Sequence, residues 1–568
     1  MRVKPEIWLL AVWAALAAWV VSLPVPTLLG QSILIDDTFY ALSAARHLAA
    51  GDGSTVDGLH ATNGYQPLWV WILACVTALG RLGPDGTVRA ALVLCALCAA
   101  GAGLRLTRLV RERGGSESAA AMAAALWFMN PYLLRRQMNG LESVLAAWLL
   151  LEAVGAAESA CRTESAGSAA DPPSSRAGRG WRSDLTVGGL AGLAALARVD
   201  LLVLAPLLAL RRRWIAAVAA LTVAAPWLGW SWVRFGSPIP MSGEANRTLF
   251  RVLLGMPAGG VWLWDPRTAS FTLASLFGLG WPAQAADLAG FPIALGWIAV
   301  PAALGLPLGL AVLGGGGRER LRAFWRAARP LAFWTGGLAI YLGVAYAFLF
   351  PAPWHLNRYF LPLHAVWIVW AALFFDRAII ALPGPAARKM GPAGTGAESH
   401  RSSSRVVLWW GAYATGLLAG LFPYVVDATG GQTPARQLEV ARWIRERVPP
   451  GVRVGVVQSG VVGYYAGRPV VNLDGKVNLL SMRALREGRM WDYLERERID
   501  LFGDWEDLVE RCVFGRAGSA EARGRAGRLP PALDGVPSSP FAFYRVLPSF
   551  GESTREHLPV RPPSDPHR

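Results

Sequence analysis

Long apolar runs separated by short polar segments make up the first three quarters of the chain. Residues 7–29 form the first run, and further runs recur as far as residues 406–426. A helix needs about 20 apolar residues to cross the hydrocarbon core of a bilayer. The pattern therefore predicts a polytopic α-helical membrane domain, residues 1–428, with about eleven to thirteen transmembrane helices.

Charge sets the expected orientation of the first helix. Basic residues precede residues 7–29 and no small-residue cleavage site follows, so we expect a retained helix with a cytoplasmic N-terminus. The next runs, 68–82 and 90–104, predict a second and a third span. Alternation would then place the arginine-rich segment 105–113 outside, whereas the positive-inside rule favours the cytoplasm. Either an early helix is misassigned or the rule fails locally, and the sequence leaves both open.

The remaining apolar runs extend the membrane domain to residue 428. They are residues 119–134, 141–154, 185–210, 214–233, 291–313, 331–350, 361–382 and 406–426. Residues 250–284 are irregular and predict a re-entrant or interfacial segment. Residues 159–184 and 383–405, which are rich in Gly, Ser, Pro and Arg, predict disordered cytoplasmic linkers. The basic segment 318–329 predicts a cytoplasmic loop.

The pattern changes at residue 429. An amphipathic helix is expected at 434–448, and short buried strands at 452–457, 469–473, 499–502 and 541–547. These elements predict a C-terminal soluble α/β domain, residues 429–568, on the extracytoplasmic face of the cytoplasmic (inner) membrane. The domain contains neither a GxGxxG motif nor a P-loop, so we expect no nucleotide site.

Composition narrows the function classes. Hydrophobic residues make up 53% of the 568 residues and charged residues 17%, with a net charge of +16. The arginines stand in short clusters between apolar runs rather than in a basic stripe, so we expect no nucleic-acid partner. The five cysteines lack metal-ligand spacing, and we predict neither a disulfide framework nor a zinc site.

The loop at residues 31–66, on the outer side of the first span, concentrates polar side chains at the membrane edge. Asp36 and Asp37 open a short amphipathic helical pattern, and polar and aromatic residues precede the second run. Acids beside a membrane span are expensive to hold there, which favours a functional interpretation. The alternative is that one acid only caps the helix and complements its dipole.

Three later positions combine charge with a membrane boundary. Glu142 begins a predicted helix, where an acid can simply meet the helix dipole. Arg198 and Asp200 interrupt an apolar run, which predicts two half-length helices meeting there; a mutually satisfied ion pair is the alternative. Arg358 stands among aromatic residues and suits a lipid-linked phosphate, whereas an interface anchor is the alternative.

Several short motifs are similar to those of the polytopic GT-C glycosyltransferases. They are the acid pair at 36–37, NGYQPLW at 63–69, NGLE at 139–142, ARVD at 197–200, RFGSPIP at 234–240 and RYFLP at 358–362. The sequence most resembles the terminal arabinofuranosyltransferases, and more distantly the aminoarabinose transferases of lipid A and the protein O-mannosyltransferases. The resemblance implies transfer of a sugar from a polyprenyl-phosphate donor to a cell-envelope glycan, lipid or protein acceptor on the outer face of the membrane. It does not fix the donor sugar.

Such a reaction needs a base for the acceptor hydroxyl and cations for the departing phosphate. We assign the base to Asp36 or Asp37, and direct displacement would invert the anomeric centre. The predicted substrate-binding residues are Tyr40, His47, Asn63, Tyr65, Gln66, Glu142, Arg198, Asp200, His355, Arg358 and Tyr359. We predict no cofactor, because two carboxylates are too few ligands to predict a divalent cation.

The C-terminal motif VVNLDGKVN, residues 470–478, is similar to the terminal domain of arabinofuranosyltransferase-like proteins. Asp474 and Lys476 could meet an acceptor glycan there, and the alternative is a turn acid and a surface lysine.

Two other function classes remain open. A transporter or flippase for a lipid-linked substrate also buries ionisable groups near broken helices, but the two halves of this chain show no inverted repeat. A non-catalytic protein of envelope assembly is the third hypothesis, against which the two acids argue.

Overall fold

The computed structural model describes residues 4–166, 173–254, 269, 272–273, 275–276, 317–351, 356–380, 434–515, 520–529 and 541–547. Its membrane part contains the following helices: α1 (Pro5–Ser22), α2 (Val25–Gly30), α3 (Asp36–Ala50), α4 (Pro67–Gly80), α5 (Pro84–Glu112), α6 (Glu117–Phe128), α7 (Pro131–Gln137), α8 (Ser143–Ala166), α9 (Pro173–Ala197), α10 (Leu204–Leu210), α11 (Trp214–Phe235), α12 (Met241–Leu254), α13 (Gly317–Val344), α14 (Leu356–Tyr359) and α15 (Leu361–Phe374). A 3-10 turn, Val199–Val203, joins α9 to α10, and π-helical turns extend α13 over Ala345–Leu349 and α15 over Phe375–Ile380.

Five helices in the described ranges are long and apolar enough to cross a membrane. They are Pro5–Ser22, Pro84–Glu112, Ser143–Thr163, Trp214–Phe235 and Arg318–Leu349. The predicted spans 291–313 and 406–426 and the predicted linker 383–405 lie outside the described residues. The total number of spans therefore stays a prediction.

Helix α4 explains why strict alternation of the predicted spans placed the arginine-rich segment 105–113 outside, against the positive-inside rule. Just before α4, Gly64 packs directly on the backbone of Lys476 in the C-terminal domain. Just after α4, the carbonyl of Pro84 accepts a hydrogen bond from the Tyr464 hydroxyl of the same domain, at 2.8 Å. Because both of its ends lie on one side, α4 does not span, and the predicted second span at 68–82 is wrong.

The arginine-rich end of α5 consequently lies at the opposite end of the membrane part from the C-terminal domain. There Arg111 of α5 pairs with Glu6 of α1. The chain's N-terminus and its first arginine cluster thus share one side, as the positive-inside rule requires. A helix of 14 residues is also shorter than the roughly 20 that a span needs.

Other predicted boundaries are corrected as well. The run 119–134 is divided between α6 and α7, because Pro131 cannot donate the hydrogen bond that a continuous helix requires. The predicted loop 318–329 is helical and forms the start of α13. The predicted linker 159–184 is helical at both ends, where it continues α8 and begins α9. The predicted break in the run 185–210 is confirmed at Arg198.

The C-terminal part is the predicted α/β domain. Its elements are α16 (Pro434–Arg447), β1 (Val454–Val456), α17 (Gly460–Tyr465), β2 (Val470–Asn472), α18 (Leu479–Glu487), α19 (Met490–Arg496), β3 (Leu501–Trp505), α20 (Glu506–Val509), α21 (Ala520–Gly524), β4 (Ala526–Arg528) and β5 (Phe541–Val546). The sheet order is β2-β1-β3-β5-β4. Strands β1, β2 and β3 are parallel, whereas β5 is antiparallel to both β3 and β4. The short strand β4 is partly exposed and carries no apolar pattern, so it escaped prediction.

The α/β domain docks on the membrane part through α3. The ring of Phe39 lies 5.3 Å from that of Tyr464 and 5.7 Å from that of Tyr465, both in α17. The hydroxyl of Tyr40 accepts hydrogen bonds from the backbone N–H of Ser459 at 3.1 Å and from the Asn472 amide at 3.3 Å. The acidic start of α3 is therefore held at the boundary between the two parts.

Candidate active site

A cavity of about 230 Å³ lies between α3, the break after α9, the end of α13 and the α/β domain. We call it the central cavity. Nine predicted site residues line it: Asp37, Tyr40, Tyr65, Gln66, Glu142, Arg198, Asp200, Arg358 and Tyr359. Lys476 of the motif at 470–478 lines it too, as do Asn246 and Tyr346, which the sequence analysis did not name.

The carboxylate of Asp37 is shared between two cations. The Arg358 guanidinium donates to Oδ2 at 3.0 Å, and the Lys476 ammonium donates to Oδ1 at 3.0 Å. All three side chains are largely buried. A buried cation is stable only beside an opposite charge, and here Asp37 supplies that charge to both cations. A phosphate that enters the cavity would meet Arg358 and Lys476 already held in position.

A second charged group surrounds Arg198, where the chain leaves α9. Its guanidinium pairs with Glu142 at 3.0 Å and with Asp200 at 2.5 Å. The Tyr346 hydroxyl donates to Asp200 at 2.6 Å. The ring of Tyr359 stacks on that of Tyr346, at a centroid distance of 4.9 Å, and lies under the guanidinium. The predicted ion pair is present, and it also forms a wall of the cavity.

The local backbone explains why these groups converge. Arg198 has an extended conformation, which ends α9, and the N–H of Val199 then donates to the Gln66 side chain at 3.0 Å. The first loop thus caps the helix break. Glu142 precedes α8, as predicted, but its side chain meets Arg198 rather than only the helix dipole.

Asp36 points away from the central cavity and towards the α/β domain. Its Oδ1 accepts from the backbone N–H of Val461 at 2.8 Å. Burial raises the pKa of Asp36 to about 6, although the Val461 bond and the charge of Lys476 act in the other direction. Neither acid is the N-cap, which is Ile35; Asp36 and Asp37 are instead the first two helical residues, where their charges complement the helix dipole as the alternative interpretation expected.

Lys476 and Asp474 lie in the turn after β2, and both are buried. The prediction of a surface lysine is therefore wrong. Burial by itself would lower the pKa of Lys476, but Asp37 and Asp474 outweigh it and raise that pKa above its usual value. Burial raises the pKa of Asp474, whose Oδ2 lies 3.8 Å from the Lys476 ammonium. Local sequence could not show that the membrane part covers this turn.

The other predicted residues lie elsewhere. His47 pairs with Asp52 at 2.9 Å, outside the lining of the central cavity. The amide of Asn63 is buried; it donates to the Ser231 hydroxyl at 2.6 Å and accepts from the Met241 N–H at 3.1 Å, so it positions loops. His355 falls outside the described residues.

The cavity carboxylates face cations of the chain itself. Within the described ranges, no group of three or more His, Cys, Asp or Glu side chains has an arrangement that could hold a metal ion. The described lining supplies fixed cations, carboxylates and aromatic rings.

Comparison with known proteins places the fold. Residues 428–528 match a family described as a domain of unknown function (DUF8728). No curated protein matches the sequence. The oligosaccharyltransferase of Archaeoglobus fulgidus in its apo form superposes with a TM-score of 0.54 at 14% identity, over 92% of this chain and 73% of that chain. ArnT from Cupriavidus metallidurans bound to undecaprenyl phosphate superposes with a TM-score of 0.52 at 14% identity, over 94% of this chain and 97% of that chain.

At 14% identity these similarities concern the fold. They cover 92% and 94% of this chain. The chain therefore has the GT-C fold of multi-pass membrane proteins, with an α/β domain at its C-terminus.

Proposed function

We propose that the protein is a membrane glycosyltransferase that takes a sugar from a polyprenyl-phosphate donor and transfers it to an acceptor hydroxyl. The observation that carries the proposal is the carboxylate of Asp37, held between Arg358 and Lys476 inside the central cavity. A GT-C fold shared with ArnT, whose solved structure contains undecaprenyl phosphate, supports the same class of donor.

Arg358 and Lys476 are the proposed ligands of the donor phosphate. In such a donor, the bond between the anomeric carbon and a phosphate oxygen breaks, and the departing phosphate gains negative charge. Fixed cations at that position stabilise the transition state more than the ground state. An arginine offers two parallel N–H groups to phosphate oxygens, and the lysine adds a point charge.

Asp37 is the proposed base. In the cavity as described, its two oxygens neutralise the two cations. A phosphate that draws Arg358 and Lys476 towards itself leaves the carboxylate with less positive charge nearby, and Asp37 then becomes more basic. Donor binding thereby prepares the group that accepts the proton of the acceptor hydroxyl. A single displacement of this kind inverts the anomeric centre.

The group around Arg198 is proposed to hold the sugar. Glu142, Asp200 and Tyr346 present oxygens to the cavity, and Tyr359 presents a flat apolar face beside them. These oxygens can form hydrogen bonds with sugar hydroxyls. A buried polar group discriminates strongly between a substrate that forms a hydrogen bond with it and one that leaves it unpaired. We propose a hexosyl or pentosyl donor, an envelope glycan, lipid or protein acceptor, and a reaction on the outer face of the cytoplasmic membrane.

The test uses membranes that contain the wild type or the variants Asp37→Asn, Asp36→Asn and Asp52→Asn, supplied with radiolabelled polyprenyl-phosphate sugars. We expect transfer to a glycan or water-soluble fraction to fall by roughly 10²–10⁴-fold in Asp37→Asn, because its amide cannot accept the proton. Asp52→Asn is the matched control, since Asp52 is an exposed acid of the same loop.

Two results would contradict the proposal. Unchanged transfer in Asp37→Asn at equal expression removes the assignment of the base. Labelled lipid that crosses the bilayer of reconstituted vesicles without transfer to any acceptor makes the protein a flippase instead.

A further inference from the structure

A second cavity, of about 360 Å³, lies on the other side of α12 from the central cavity. Ser242, Gly243 and Asn246 line the central cavity, whereas positions 241, 244 and 247 line the second one. Spacings of three and four residues keep each set on its own helix face. A single helix therefore separates the two cavities.

The second cavity is basic. Arg483 and Arg486 of α18 and Arg247 of α12 line it, against one carboxylate, that of Glu244. Glu244 accepts from Arg486 at 2.7 Å. In the part of the chain that the structure describes, no carboxylate lies within ion-pair distance of Arg483. The lining thus carries an excess of guanidinium groups at the boundary of the two domains.

The wall between the cavities is thin. Ile239, Pro240 and Phe350 line both of them. At Gly243 the wall has no side chain, and an added Cβ would lie 3.7 Å from the ring of Phe350. The two cavities therefore adjoin at this edge, where Phe350 packs against α12 beside Gly243.

We propose that the second cavity binds the acceptor, and that the acceptor is a saccharide carrying an anionic group, a phosphate or a carboxylate. The inference rests on the proposed function, because it uses the central cavity as the donor site. Guanidinium groups pair bidentately with both kinds of anion. The anionic group contacts Arg483 and Arg486, while the apolar residues at the shared edge direct a hydroxyl of the same molecule towards Asp37.

The same arginines would also suit the phosphate of a second polyprenyl lipid. A competition experiment distinguishes an anionic saccharide from a polyprenyl phosphate as the ligand of the second cavity. If undecaprenyl phosphate binds only in the central cavity, it leaves the second cavity accessible to a soluble phosphorylated sugar.

The experiment uses the full chain in phosphatidylcholine nanodiscs and measures weak binding by ligand-observed NMR titration. The probes are mannose 6-phosphate and mannose. We expect wild-type protein to bind mannose 6-phosphate about tenfold more tightly than mannose, since hydrogen bonds between charged groups are the strong ones. The double variant Arg483→Ala/Arg486→Ala should lose that preference.

Arg489→Ala is the matched control, because Arg489 follows α18, is exposed and does not line the cavity. It should retain the wild-type preference. Undecaprenyl phosphate should bind the wild type and the double variant equally, and should not compete with mannose 6-phosphate.

Equal binding of the two sugars, or an unchanged preference in the double variant, overturns the inference. Competition by undecaprenyl phosphate, or its loss of binding in the double variant, overturns it too and assigns the arginines to the lipid. If the wild type binds mannose 6-phosphate as expected but does not bind undecaprenyl phosphate, the proposed function is contradicted. The assignment of the second cavity to the acceptor is then contradicted as well, whereas the anion-binding site is retained.

Discussion

The ammonium group of Lys476 lies 3.0 Å from the carboxylate of Asp37, although 439 positions separate the two residues. One belongs to the α/β domain and the other to the first loop of the membrane part. The central cavity is therefore complete only when the two domains are docked, and the α/β domain supplies one of its cations.

Replacing Lys476 tests that contribution. We expect Lys476→Met to lower transfer by roughly 10²-fold, because one of the two cations proposed to stabilise the departing phosphate is lost. Lys476→Arg keeps the charge and should retain more activity than Lys476→Met. Transfer is measured in membranes at equal expression, together with binding of undecaprenyl phosphate. Wild-type rates in Lys476→Met would exclude Lys476 from phosphate contact.

The raised pKa of the buried Asp36 carboxyl predicts that the stability of the protein depends on pH. Burial raises this pKa to about 6, so the folded protein binds this proton more tightly than the unfolded chain does. The stabilisation is present below the unfolded-state pKa, about 4, and is lost as the pH rises through the folded value. Asp36→Asn removes this dependence and keeps an acceptor for the Val461 N–H.

We therefore expect the melting temperature of Asp36→Asn, relative to wild type, to rise between about pH 4.5 and pH 7.5. The measurement is thermal unfolding of nanodisc-embedded protein at several pH values. A difference that stays constant across this range would contradict the assignment of a raised pKa to Asp36.

His60 links the first loop to the α/β domain. Its ring lies 2.7 Å from Asp57 and 3.4 Å from Glu497. Burial would lower the pKa of His60, but the two carboxylates outweigh it and raise that pKa above its usual value. The stabilisation is complete below the unfolded-state pKa, about 6.5, and disappears as the pH rises through the folded value.

His60→Gln should accordingly be less stable than wild type near pH 6, with a difference that shrinks above about pH 8. Thermal unfolding again provides the readout. His47→Gln is the control, because His47 pairs with Asp52 within the first loop and does not link the domains. An equal pH profile for the two variants would remove His60 from the domain contact.

Gly460 tests the docking of α17 on α3. An added Cβ would lie 2.2 Å from the backbone carbonyl of Asp36. Gly460→Ala should therefore cost roughly 1–3 kcal/mol of stability, as overpacking does, and should lower transfer. Gly451→Ala is the control, since its added Cβ meets open space. Identical melting temperatures for the two variants would argue against the close contact.

The sequence located most of the central cavity because the signals there are local. A charged pair within an apolar run identifies the break at Arg198, and the structure places Arg198, Asp200 and Arg358 in one lining. The two acids of α3 could not be distinguished in this way. Neighbouring helical residues point about 100° apart, and only the position of the α/β domain decides which of them faces the cavity.

Other features depend on contacts between distant parts of the chain. Apolar content made α4 resemble a span, although its two ends meet the same domain. The motif at 470–478 has the pattern of an exposed turn, and the burial of Lys476 follows from contacts with residues near the N-terminus. Composition and periodicity carry no information about such contacts.

The bonds from Ser459 and Asn472 to Tyr40 also have a consequence for biosynthesis. During translation the acidic start of α3 enters the membrane boundary while more than four hundred residues are still to be made. Asp37 must wait for Lys476 until a further 439 positions have been synthesised. We expect a nascent chain that stops before this domain to insert into the bilayer with an incomplete central cavity, so that a prematurely terminated product lacks one cation of the proposed phosphate site.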